Sequence, residues 1–134
     1  MSTTGEKVKV LVVEDEPSIA AVCRRALADG FEVDVAPNGR VARDMLAGKD
    51  YRLLLLDIRT PEMNGQQLYH YLEAERPELA GRVIFTTGDV MAGDVQDFIR
   101  QTGMPFLPKP FTPKELLEVV KTVAAGLNDG TNQV

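Results

Sequence analysis

A chain of 134 residues with 44% apolar and 26% charged side chains is sized for one soluble globular domain that buries about two-thirds of its unfolded surface, which excludes disordered and fibrous classes. The net charge of −5 and a pI near 4.9 argue against nucleic acid as a direct partner, because the basic windows at 24–25 and 109–114 are too sparse to track phosphates. No apolar run approaches the roughly 20 residues of a membrane span, and the polar start lacks the order of a secretion signal, so a cytoplasmic protein off the membrane is expected.

The first element is a β-branched apolar run at 8–13, suited to a strand buried on both faces and ending at Glu14. Pro17 opens a helix to about residue 28, with Gly30 as its stop, and Cys23 falls on its apolar face as a core thiol. Phe31, Val33 and Val35 alternate with Glu32 and Asp34, which predicts a strand near a sheet edge. After a turn at Asn38-Gly39, Val41, Ala42, Met45 and Leu46 mark a second helix closed by Gly48. The unbroken run Leu53-Leu54-Leu55-Leu56 predicts a central strand that delivers Asp57 to its carboxyl end.

Residues 58–65, with Pro61 and Asn64-Gly65, read as a loop, and Leu68, Tyr69 and Leu72 give a third helix ending before Arg76-Pro77. A fourth strand at 83–87 and a fourth helix at 93–102, with Val95, Phe98 and Ile99 inward, follow. A fifth strand is expected at 104–108, where two prolines suit an edge, and a last helix at 114–126. Five strand-then-helix units predict a parallel sheet covered by helices on both faces.

In open parallel sheets the ligand crevice lies beyond the carboxyl ends of the strands. Glu14, Asp15, Asp57, Thr87 and Lys109 all fall there, from strands one, three, four and five. Three carboxylates at about 4 Å repel by roughly 4 kcal/mol per pair at an effective dielectric of 20, more than one ammonium balances. A hard divalent ion, Mg²⁺ or Mn²⁺, bound through oxygens would neutralise the excess. Asp57 then suits a nucleophile toward a phosphoryl group, with the Thr87 hydroxyl and Lys109 ammonium on its oxygens.

These residues and their order resemble the response regulator receiver family of two-component signalling. The resemblance rests on Glu14-Asp15, on the leucine run ending in Asp57 with Pro61 and Met63-Asn64-Gly65 behind it, on Thr87-Gly88, and on Lys109-Pro110-Phe111. It implies a flavodoxin-like, doubly wound five-stranded parallel sheet in the order 2-1-3-4-5, with five helices in three αβα layers. Its implied bounds are 8–126, between a flexible start at 1–7 and a polar tail at 127–134.

By the same resemblance Asp57 is the phosphoacceptor, Asp15 and Asp57 bind the metal directly, Glu14 acts through a metal-bound water, and the Arg59 backbone carbonyl is a further ligand. Thr87 and Phe106 are the switch pair, and Lys109-Pro110 is a cis peptide. Partners implied are a histidine kinase or histidine phosphotransfer protein, and a target protein on the face made by the fourth helix, fifth strand and last helix. The segment 82–109 further resembles receivers attached to hybrid histidine kinases, and no output domain fits after Gly126. Glu14 in place of the commoner Asp, Arg59 beside the acceptor with Asp89 across the water route, and Pro108 before the lysine depart from the family pattern. The motifs do not specify kinase, target or oligomeric state.

A lone Asp at a strand end is more often a turn or cap than a nucleophile, and Glu14-Asp15 can also serve the start of the first helix. Thr87 alone reads as a loop hydroxyl, Lys109 as a solvated charge, Phe106 as a core aromatic, and His70 as a surface imidazole. Rival functions are a receiver-like docking module that is never phosphorylated and a haloacid dehalogenase-type aspartyl-phosphate phosphatase. The latter requires an acid where Arg59 stands. A flavodoxin-like cofactor carrier would need a phosphate loop where Glu14-Asp15 repels phosphate.

Overall fold

The computed structural model describes residues 7–89 and 92–128. In chain order the elements are β1 Val8–Val13, α1 Pro17–Leu27, β2 Phe31–Ala36, α2 Gly39–Gly48, β3 Leu53–Asp57, α3 Gly65–Glu75, α4 Pro77–Ala80, β4 Val83–Thr87, α5 Gly93–Thr102, β5 Phe106–Pro108 and α6 Pro113–Asn128. All strand pairs are parallel, in the order β2-β1-β3-β4-β5. The parallel sheet expected from the strand-helix alternation is therefore present, in the doubly wound flavodoxin-like order that the family resemblance implies.

Period-two side-chain alternation divides each central strand between two cores. Leu54 and Leu56 of β3, with Leu11 and Val13 of β1, join Ala42, Leu46, Leu68, Leu72, Val95 and Phe98 from α2, α3 and α5. Leu53 and Leu55, with Val10 and Val12, join Cys23, Leu27, Leu116 and Val120 from α1 and α6. Both faces of β3 are thus covered, which is why its leucine run shows no alternation. Cys23 is 1% exposed, and burial pushes its thiol up to about 12, so it behaves as a small core hydrophobe. Tyr69, Phe85 and Phe98 stack with centroids 5.3–5.8 Å apart and tie α5 to β4 and α3.

Among the described residues there are six helices rather than five. Pro77 cannot continue α3 but suits the first turn of a new helix, and it opens the single turn α4, whose Leu79 and Ala80 are buried. β5 begins at Phe106 rather than 104, because Pro105 has no N–H, although its carbonyl still accepts from the Phe85 N–H at 3.0 Å. α6 begins at Pro113 and runs to Asn128. Thr112 and Glu115 form reciprocal side chain to backbone bonds of 3.0 and 2.8 Å at its start, and Leu127 packs beyond Gly126. The expected flexible start and polar tail otherwise lie outside the described residues.

Two Asn-Gly pairs that read as turns are helix starts. Asn38 and Asn64 are N-caps whose side chains accept from the Val41 and Gln67 N–H groups, and Gly39 and Gly65 are the first helical residues. Neither glycine has room for a Cβ: at Gly39 it would lie 2.5 Å from the Met63 carbonyl oxygen, and at Gly65 2.7 Å from the Ile58 Cα and 2.8 Å from the Asp57 carbonyl oxygen.

The edge strand β2 is secured by charge. Lys49 Nζ reaches Asp34 at 2.8 Å and Glu32 at 3.0 Å, and the Tyr51 hydroxyl donates to Asp34 at 2.5 Å. The Lys49 hydrogen bond, helped by Tyr51, holds the Asp34 carboxyl below its ordinary range, while burial and the bond to Asp34 push Tyr51 up to about 12.

Two outcomes follow from this packing. Gly65→Ala destabilises the chain by about 1–3 kcal/mol in urea unfolding, because the obstructing atoms are backbone. Asp34→Asn lowers the melting temperature at pH 7. Since the charged Asp34 is favoured in the folded state, its contribution is present above the unfolded carboxylate range and fades as pH falls through the depressed folded value. The gap between variant and wild type therefore closes between about pH 5 and pH 2 in thermal scans.

Candidate functional site

Sheet register determines which side chains meet. Val13 pairs with Leu56, so Glu14 and Asp57 emerge side by side, and Thr87 pairs with Pro108, so Lys109 emerges one step beyond Thr87. Backbone bonds from the Glu14 N–H to the Ala36 carbonyl, 2.9 Å, and from the Lys109 N–H to the Thr87 carbonyl, 3.0 Å, fix both exits. The Lys109–Pro110 peptide bond is cis.

Glu14 and Asp57 are 4% and 3% exposed, and Thr87 is fully buried, whereas Asp15 faces solvent. Lys109 Nζ lies 2.9 Å from Glu14 Oε1 and 2.7 Å from Asp57 Oδ2. The remaining oxygens are also engaged: the Arg59 N–H donates to Asp57 Oδ1 at 3.0 Å, and the Glu16 N–H to Glu14 Oε2 at 3.1 Å. Glu14 thereby also holds Glu16, the N-cap residue of α1.

Burial, opposed by the Lys109 hydrogen bond, pushes the Glu14 carboxyl above the usual carboxylate range, and the Asp57 charge adds to the rise. Burial alone would lower Lys109. Its hydrogen bonds to Asp57 and Glu14 prevail and raise it.

Glu14, Asp15 and Asp57 each offer a carboxylate oxygen, all within 4.8 Å of one another. Three carboxylates face one ammonium. An all-oxygen donor set with excess negative charge fits a hard divalent cation such as Mg²⁺, and poorly suits softer metals that favour nitrogen or sulfur.

The other residues singled out from sequence take different places. The Thr87 hydroxyl accepts from the Asp89 N–H at 3.0 Å. Phe106 is half-buried against the core shared by α2, α3 and α5. His70 is exposed on α3, 3.2 Å from Glu73. Arg59 does not direct its cation at the acceptor: its guanidinium meets Asp89 at 2.6 Å, with both side chains about half exposed. Sequence reading placed both residues at the mouth without pairing them, since 30 positions separate them and no spacing rule links two loops.

Beside Lys109 a groove of about 400 Å³ is lined by Ile19, Val22, Pro110 and Phe111. Among the described residues no helix is long and apolar enough to cross a membrane.

Residues 10–121 match the family described as response regulator receiver domain. Response regulator Rre1 of Synechocystis sp. is 35% identical over 125 residues, covering 90% of this chain and 53% of that protein. Response regulator MprA of Mycolicibacterium vanbaalenii is 30% identical over 111 residues, 82% of this chain and 47% of that protein. The chain thus spans about half the length of these two relatives. Among solved structures, the signal receiver domain of a signal transduction histidine kinase from Syntrophus aciditrophicus superposes with a TM-score of 0.79 at 28% identity, covering 89% of this chain and 91% of that one. A CheY-like receiver domain protein from Methanospirillum hungatei shares the fold, with a TM-score of 0.84 at 24% identity over 93% of this chain and 99% of that one.

Replacing Lys109 with Met leaves two buried carboxylates facing each other without the ammonium that bridges them. Lys109→Met is expected to lose about 2–4 kcal/mol of stability in metal-free urea unfolding. Millimolar Mg²⁺ should restore part of that loss. An unchanged midpoint with Mg²⁺ would mean that these acids do not hold a hard cation.

Proposed function

The chain belongs to the response regulator receiver domain family, and from that premise we propose that it accepts a phosphoryl group on Asp57 and relays a signal by changing a protein-binding surface. The observation that carries this reading is the Asp57 carboxylate at the rim of the central strand, held by Lys109 Nζ at 2.7 Å and sharing a 4.8 Å cluster with Glu14 and Asp15.

The donor is a phosphohistidine of a histidine kinase or histidine phosphotransfer protein. An Asp57 oxygen attacks phosphorus, the histidine N–P bond breaks as the aspartyl O–P bond forms, and the imidazole leaves with the bond's electron pair. The Arg59 N–H and the Lys109 ammonium orient the carboxylate for that attack. Lys109 and Thr87 then serve the phosphoryl oxygens. The Thr87 hydroxyl accepts from the Asp89 N–H, and a hydroxyl that accepts can donate its own proton as well, here to a phosphoryl oxygen.

A divalent cation, Mg²⁺ or Mn²⁺, held by Glu14, Asp15, Asp57 and the Arg59 carbonyl, would supply the positive charge that acids and phosphoryl group together require. Lys109 is the only ammonium bonded to these acids among the described residues.

Phosphorylation draws Thr87 toward the acceptor and Phe106 inward, and this reshapes the face of α5, β5 and α6 for a target protein. Support for a mobile Phe106 is its half-buried position on a three-residue edge strand. The chain acts in the cytoplasm as a regulatory acceptor, catalysing only its own phosphorylation and dephosphorylation. The 28% identity to a receiver of a histidine kinase supports a place in a phosphorelay that includes hybrid kinases.

Incubation with acetyl phosphate and Mg²⁺, followed by intact mass measurement, tests the proposal. Wild type gains the mass of one phosphoryl group, whereas Asp57→Asn and a chelator-treated wild type gain none. If wild type stays unmodified, the chain is a static docking module. Continuous hydrolysis of a phosphomonoester over many cycles would point instead to a phosphatase.

A further inference from the structure

Arg59 holds the acceptor with its backbone and a second loop with its side chain. Its N–H donates to Asp57 Oδ1 at 3.0 Å, while its guanidinium reaches Asp89 Oδ2 at 2.6 Å. Asp89 in turn donates its own N–H to the Thr87 hydroxyl oxygen at 3.0 Å. Three bonds therefore run in sequence from the Asp57 carboxylate to the hydroxyl that serves the phosphoryl oxygens.

The choice of partner is specific. Asp57, a member of the acid cluster, stands two residues before Arg59, yet the guanidinium is bonded to Asp89, 30 positions further on. The bond is short and charge-assisted, although both side chains are about half exposed, which limits its strength.

What it holds lies deeper. Thr87 is fully buried, so the place of its oxygen is determined by protein partners and not by solvent. The Asp89 carbonyl also accepts from the Ala92 N–H at 3.3 Å, and Ala92 is the N-cap residue of α5, whose start has no side-chain cap. The ion pair thus bears on Thr87 and on the beginning of α5 together. An interaction made in the resting state and lost when Thr87 moves lowers the affinity of the site for whatever draws Thr87 away.

We propose that Arg59 is a positioning residue that acts through Asp89: their ion pair holds the Thr87 hydroxyl in its resting place and sets the threshold for switching. The proposal rests on the reading of Asp57 as the phosphoryl acceptor.

A double-mutant cycle on the full chain tests it, with beryllium trifluoride as the phosphoryl analogue at saturating Mg²⁺ and fluorine NMR as the titration. Asp89→Asn is expected to tighten binding about two- to fivefold more in the Arg59 protein than in an Arg59→Gln background, the range for an exposed ion pair. Equal effects in the two backgrounds overturn the proposal, because charges acting separately on the anion add and do not couple. A second measurement needs neither metal nor analogue. Amide hydrogen exchange at Asp89 should be about two- to fivefold faster in Arg59→Gln than in wild type, and unchanged protection there overturns the hold on Thr87. If no protein of the cycle binds the analogue, the acceptor reading fails, and faster exchange at Asp89 still supports the hold.

Discussion

The whole carboxyl rim of this sheet depends on one ammonium. Lys109 Nζ bridges Glu14 and Asp57, two carboxylates almost removed from solvent, and without it their burial would be costly. The bridge is also incomplete, because Asp15 adds a third acid and leaves the cluster short of positive charge. That deficit is the physical basis of its fitness for a hard cation and of the reading of Asp57 as a phosphoryl acceptor. A pocket neutralised exactly by protein groups would have little reason to recruit either.

Precision at the rim comes from backbone features. Strand register brings Glu14 beside Asp57, and the Gly65 N–H bonds the Ile58 carbonyl at 3.0 Å while the Gly39 N–H bonds the Met63 carbonyl at 2.8 Å. The loop after Asp57 is therefore held from both ends by helix starts that only glycine permits. Inside it, Glu62 sits at φ 64, a left-handed conformation unfavourable for a side-chain-bearing residue, so the surrounding bonds override a local preference. The carboxylate is thus oriented by a loop with little freedom to turn it away.

Charge is distributed by the direction of the elements. Acids gather where the strands end, and cations gather where the strands begin and the helices end. Lys7 and Arg76 bond helix-terminal carbonyls, so part of that pattern follows from the dipoles of the α/β arrangement.

Much of the fold was legible in the sequence because hydrophobic period reports burial directly. The unbroken leucines at 53–56 announced a strand covered on both faces, and the alternation after Phe31 announced an edge. Spacing could not distinguish an Asn-Gly turn from an Asn cap followed by a glycine with no room for a Cβ, nor show that Pro77 begins a turn of helix as well as ending one. The candidate acids and Lys109 were identifiable as strand-end residues and by their resemblance to a known family. By itself the sequence determined the order of elements, the two-faced core and the chemistry available at each strand end, since these follow from local pattern and residue type. Only the tertiary structure decided that Lys109 bridges both buried acids and that Arg59 turns to Asp89, because each requires the register of segments that chain spacing does not encode.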